Sequence, residues 1–205
     1  MIKLIPAHRT DRQIILLLLA FTLGLYLRTL SPGLLGGDSG EFQFAAWRLG
    51  LAHPTGYPLY LLLGNLWQHG LAIVGLSPAT ALNALSAVIG ALAVALLYLV
   101  MNDWLSGPAP VRRTAALFTA VLLAVNPTFW SQNLIAEVYT LHVLFILLIF
   151  RAVQAVHDRA EGLAQMGPED DSGLDHGLEL VDRRLRDLVP VADADLVAHL
   201  GLQLV

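Results

Sequence analysis

Asp38 and Glu41 stand three residues apart in "GGDSGEFQFAAWRLGLAHPTGYPLY", with Arg48, His53 and Tyr57 close behind, in a chain otherwise dominated by Leu, Ala and Val. Two carboxylates at that spacing project from nearly the same face of a helix beginning at Ser39. Facing water, one of them can take a proton from an attacking hydroxyl while nearby cations neutralise an anionic leaving group. The same spacing also fits a capping box, Asp38 as N-cap and Glu41 at the third helical position. The two uses compete for the oxygens of Asp38. Arg48 falls two turns beyond Glu41, where it can hold an anion, pair with Glu41 or reach lipid phosphate; Arg28 carries the same choice. His53 opens the turn "HPTGYP", in which Pro54 and Pro58 fix φ and Gly56 permits positive φ, and it can serve as a ligand or a proton carrier.

A second polar group lies far along the chain. Glu137 is expected in the first turn of an apolar helix, where the helix dipole favours a carboxylate, and a carboxylate at membrane depth is costly enough to read as functional. His142 lies five residues deeper and can hydrogen-bond within a bundle.

The elements that must position these groups are apolar helices. Of 205 residues, 56% are hydrophobic and 14% charged, and the mean hydropathy is +0.64, so a bilayer is the expected solvent. The net charge of −4 is concentrated in the tail: seven Lys/Arg face five Asp/Glu over residues 1–150, against five and eleven over 151–205. No basic surface of the kind nucleic acid requires is present. Cysteine is absent, which excludes disulfides and thiolate metal sites.

The reading is an all-α integral membrane bundle. Spans are expected at about 14–30, 82–100, 114–130 and 134–150. Interfacial helices of the first outer loop are expected at about 39–51 and 58–76, the second interfacial or re-entrant. The first run follows a basic start as a signal peptide would, but "RTLSPGLLGG" offers a poor cleavage site, so an uncleaved span is expected. The second carries small residues four apart (Ser86/Gly90, Ala87/Ala91, Ala91/Ala95), a face another helix can approach closely. The third and fourth are separated by "NPTFWSQN", with Trp130 suited to an interface. Residues 58–76 are long enough to cross but are interrupted by Asn65, Gln68 and His69. Keeping them on one side places Lys3, Arg9, Arg12, Arg112, Arg113, Arg151 and Arg159 together, as the positive-inside rule requires. The N-terminus is then cytoplasmic and Asp38, Glu41 and Glu137 face outward. Residues 152–205 read as a weakly structured polar tail, with a linker at 166–176 and an amphipathic helix at 177–189.

The order D-S-G-E, then A-H-P-T-G-Y-P, then A-E-V-Y-T-L-H resembles the start of a bacterial multi-pass membrane family related to the transmembrane protein O-mannosyltransferases of the GT-C glycosyltransferase superfamily, over about residues 10–150. The resemblance implies an inverting transferase in the inner membrane. Its donor would be a polyprenyl-phosphate-linked sugar, and its acceptor a protein or glycan hydroxyl on the outer face. It further implies Asp38 as general base or metal-proximal carboxylate, Glu41 as its partner, His53 and Tyr57 on the site-forming turn, and Glu137 and His142 on the later motif beside the substrate, with a divalent metal left open; Arg48 joins the substrate-binding set on its spacing alone. Such proteins continue through further spans, and the polar ending here reads as that of a truncated or frameshifted product. The competing readings are a non-catalytic lipid-binding or assembly subunit, in which Asp38 and Glu41 only cap a helix, and a small transporter.

Overall fold

The computed structural model describes residues 8–165, 177–181 and 183, and every regular element among them is helical. Four long helices carry the bundle: α1 (Arg9–Thr29), α4 (Pro78–Trp104), α5 (Ala109–Val125) and α7 (Tyr139–Gln165). Between α1 and α4 lie α2 (Gly37–Arg48) and α3 (Pro58–Ala72), and α6 (Pro127–Gln132) follows α5. The apolar periodicity, the scarcity of charge and the stop signals at each end account for this division. Pro78 and Pro58 sit at first-turn positions, where a missing N–H costs nothing, and the Ser77 side chain caps α4 by accepting from the Thr80 N–H at 3.2 Å. Asn126 ends α5 and caps α6 through the Phe129 N–H at 3.1 Å.

α4 is the central helix. Most of its apolar stretch is buried, whereas α1 and α7 bury only 22% of theirs and turn Leu16, Leu17, Phe21, Ile146, Ile149 and Phe150 outward. That inside-out pattern suits helices facing lipid. The expected close approach on the small face of α4 is realised in part by a side chain. A Cβ on Gly90 would overlap the Asn133 amide, so only glycine admits Asn133 there.

Three helices, α1, α4 and α7, are long and apolar enough to cross a membrane. Four spans were expected. The 17 residues of α5 are fewer than the roughly 20 a perpendicular span needs, yet its two ends meet both ends of α1. Arg113 near the start of α5 pairs with Asp11 near the start of α1, and the Tyr26 hydroxyl near the end of α1 donates to the Ala124 carbonyl at the end of α5 at 2.9 Å. Asp11 also accepts from Tyr98 near the end of α4, and Gln154 of α7 donates to Val100 of α4. The four helices therefore alternate in direction: α1 and α5 run one way, α4 and α7 the other.

Several boundaries differ from the sequence reading: α1, α4 and α5 begin four or five residues early, and the expected span at 114–130 divides at Asn126 into α5 and α6. α2 stops at Arg48 rather than 51, because Leu49 turns left-handed (φ 51°) and the Leu49 and Gly50 N–H groups close the end on the Ala46 and Ala45 carbonyls. α3 ends at Ala72, before the turn at Gly75 (φ 83°). α7 begins at Tyr139 rather than 134, and continues through 152–165, which the sequence reading had assigned to the tail. "RAVQAVHDRAEGLAQ" holds no proline and mixes good helix formers with an His157–Glu161 pair one turn apart at 3.1 Å. The chain divides into two units at Val156; in the second, residues 177–181 and 183 are helical and exposed. The expected linker at 166–176 and the rest of the expected helix at 177–189 lie outside the described residues.

Candidate functional site

α2 and α3 run side by side in the same direction. Phe42 meets Tyr60 (ring centroids 5.4 Å), and farther along both helices Trp47 stacks on His69 at 4.0 Å and 4°. A parallel pair needs a connection that returns to its starting end, and residues 49–57 make that return. It brings His53 back to Glu41.

Glu41 holds this return by both oxygens. The His53 backbone N–H donates to Glu41 Oε1 at 2.6 Å and the ring Nδ1 lies 2.8 Å from Oε2. The imidazole is flanked by Phe42 and Tyr57, each with its ring centroid 5.5 Å away, and it turns Nε2 from the carboxylate. The ring bond from His53, then the backbone bond, lower the Glu41 pKa below the usual carboxylate value; the same Glu41 bond raises that of His53.

Asp38 joins them. One ligand-capable atom each from Asp38, Glu41 and His53 lie within 4.8 Å of one another, compact enough for a divalent cation to draw in. The capping-box reading is overturned. The N-cap of α2 is Gly36, the helix starts at Gly37 with φ 62°, and no side chain caps it. Gly37 and the close packing of Gly40 on the Leu35 carbonyl start the helix before Ser39. Asp38 is left exposed inside the first turn, with Glu41 committed to His53 instead of the helix end.

Glu137 comes from the other side. It lies in the segment before α7, not in the first turn of that helix as expected. Ser39 donates to its Oε1 at 3.0 Å, and its backbone N–H points at Ser86 Oγ of α4 at 3.4 Å. Burial raises its pKa, the Ser39 bond lowers it, and the negative Asp38 raises it further. Ser39 and Ser86 had been read only as a helix start and a small packing residue. The residue between Asp38 and Glu41 facing the bundle was the available hint for Ser39.

A polar frame holds α2 in place. Buried Gln43 accepts from the Leu35 N–H at 3.0 Å and donates to Asn83 Oδ1 of α4 at 2.8 Å, while Asn83 donates to the Ser31 carbonyl at 2.8 Å. Beside the cluster a groove of about 190 Å³ runs between α3 and α7, lined by Tyr57, Leu59, Tyr60, Leu141, His142 and Phe145 among others. Tyr57 and His142 thus sit at the edge of the site; His142 bonds the Val138 carbonyl at 3.0 Å. Arg48 does not join. It is exposed at the far end of α2, roughly 10 Å along the helix from Glu41, and Glu41 is partnered elsewhere.

Fold and site together define a helical membrane protein with a carboxylate–histidine cluster gathered at one end of its bundle. Residues 38–171 match the family described as the protein O-mannosyl-transferase TMEM260 N-terminal domain, and the chain belongs to that family. It is similar to protein O-mannosyl-transferase tmem260 of Dictyostelium discoideum, 30% identical over 136 residues that cover 66% of this chain and 16% of the relative. It is also similar to protein O-mannosyl-transferase TMEM260 of Mus musculus, 35% identical over 129 residues, 61% of this chain and 17% of the relative. The chain thus spans about one sixth of the length of these relatives. No solved structure matches it.

Proposed function

We propose that this chain forms the site-bearing N-terminal part of a membrane glycosyltransferase that moves a sugar from a polyprenyl-phosphate-linked donor to an acceptor hydroxyl on the outer face, in bacteria the outer face of the inner membrane. The observation that carries the reading is the convergence of Asp38, Glu41 and His53, with Glu137 beside them, at the bundle end opposite most of the basic residues. Arg113 pairs with Asp11 and Arg151 with Asp103 at that other end, where Arg9, Arg12 and Arg112 also lie. Positive-inside orientation then leaves the site outside.

Asp38 is the carboxylate free to act as base, since Glu41 spends both oxygens on His53. The acceptor hydroxyl gives its proton to Asp38 as its oxygen bonds the anomeric carbon. The bond from that carbon to the phosphate oxygen breaks on the opposite face, and the phosphate leaves with the electron pair, inverting the centre. A positioned base of this kind gives about 10²–10⁴-fold. Glu41 favours the charged form of His53, which offers Nε2–H toward the departing phosphate. Asp38, Glu41 and His53 are the residues that would hold a divalent cation; it would bind the neutral imidazole and the carboxylates and supply neutralisation of that phosphate in place of the His53 proton. The reading in which Asp38 and Glu41 serve only as helix caps has lost its footing, because Gly36 occupies the cap.

The test is sugar transfer from a polyprenyl-phosphate mannose by a membrane-inserted full-length protein. Asp38→Asn should lose about 10²-fold or more in kcat with the protein still inserted; undiminished transfer would remove Asp38 as base.

A further inference from the structure

α3 contains no Asp, Glu, Lys or Arg, yet it is not buried. Leu59, Leu62, Leu63 and Leu66 line its outward face, and Leu66 is 73% exposed. The stripe continues into Ile73 and Val74, 86% and 77% exposed. Its amides and its indole N–H point the other way, and the polar His69 is exposed near the C-terminal end. Asn65 donates to the Ala46 and Trp47 carbonyls of α2, Trp67 to Ala81 of α4, and Gln68 to Gln43 and Pro78. A helix that hides its amides in protein and offers leucines outward is patterned for hydrocarbon, the reverse of a helix lying on a water-exposed surface.

The register on α4 gives the depth. Gly64 packs on Leu82, Trp67 reaches Ala81 and Gln68 reaches Pro78, so α3 runs antiparallel along the first turns of α4. At 1.5 Å per residue, a hydrocarbon core of about 30 Å centred on α4 covers roughly its residues 81–101. Much of α3 therefore lies alongside the outer margin of that core. Ser86, which meets Glu137, sits roughly 7 Å inside it. The C-terminal corner of the α2–α3 pair carries exposed Arg48 and the Trp47–His69 stack, residue types that suit the headgroup layer.

We propose that the outward face of α3 is embedded in the acyl chains of the leaflet on the site side. The carboxylate–histidine cluster then lies below the headgroup plane, and the groove between α3 and α7 opens onto lipid. The occupant of the Leu59–Leu62–Leu66 stripe is bilayer hydrocarbon, not water, a second copy or another protein segment. Absence of charge and the inward turn of every bonded amide argue for this choice, in a chain whose α1 and α7 already face the same solvent.

Because cysteine is absent, single nitroxide labels can be placed without a background. Leu62→Cys and Leu66→Cys are to be labelled in the full chain in phosphatidylcholine vesicles, and collision rates measured with oxygen and with a neutral water-soluble nickel chelate. Both sites are exposed, so the labels do not disturb packing. Embedding predicts oxygen collisions several-fold above nickel collisions at both sites, with Leu62 deeper than Leu66. Dominant nickel collisions would place α3 in water, and low rates with both probes would mean a protein cover; either result overturns the proposal. The experiment does not depend on sugar transfer, so its outcome stands apart from that of Asp38→Asn.

Discussion

The Ser39 hydroxyl lies 3.0 Å from Glu137 Oε1, joining residues 98 positions apart. This single bond binds the start of α2 to the approach to α7, and both of its members are backed by α4 through Ser86 and the Gln43–Asn83 pair.

Ser39→Ala should therefore loosen the site without unfolding the bundle. It removes a hydrogen bond to a half-buried carboxylate, a loss of about 1–2 kcal/mol, seen as a lower midpoint in detergent unfolding. Transfer should fall by more than stability alone explains, since Glu137 is then free to turn away from Asp38.

The Glu41–His53 contact predicts a definite pH behaviour. The His53 pKa is raised, so its share of stability is fully present below its unfolded value and is lost as pH rises through the higher folded value. The Glu41 pKa is lowered, so its share is present above its unfolded value and is lost as pH falls through the lower folded one. The contact is strongest in the window between those two titrations. The imidazole resonances of His53 should titrate above 6.5 in the native chain and move down toward that value in Glu41→Gln. An unchanged midpoint would mean that Glu41 does not set it.

At the opposite end, Asp11 is buried and accepts from Arg113 at 2.8 and 3.1 Å and from Tyr98 at 2.8 Å. Asp11→Asn leaves the guanidinium without its counter-charge and weakens two charge-assisted hydrogen bonds, so it should destabilise the bundle. The unfolding midpoint should drop while the His53 titration stays put, because the two sites occupy opposite ends of the bundle.

Topology can be read with a membrane-impermeant maleimide on intact cells. Thr128→Cys, exposed at the site end of the bundle, should react from outside, and Ser106→Cys only after lysis. Reaction of Ser106→Cys in intact cells would reverse the proposed orientation.

How much of this was legible beforehand depended on distance along the chain. The long apolar runs and the crowding of Asp38, Glu41 and His53 are local features, and a charge-poor chain makes such crowding conspicuous. The role of Glu41 was not legible, because a three-residue spacing fits a cap and a site equally well; the left-handed turn at Leu49 that sends His53 back decides it. Arg48 was placed beside Glu41 by helical periodicity alone, which says nothing of where the partner segment returns. Ser39–Glu137, Asp11–Arg113 and Gly90–Asn133 each depend on how separate helices register against one another, and no local spacing encodes that.

The Asp11–Arg113 pair also bears on biosynthesis. Its members are 102 residues apart, so when α1 first enters the membrane its aspartate lacks the two Arg113 hydrogen bonds until α5 has been made. During that interval the carboxyl must stay in the aqueous headgroup zone or remain protonated, because a lone carboxylate is poorly tolerated deeper in lipid. The contact that joins the start of α1 to the start of α5 thus forms only after the later helix has been made.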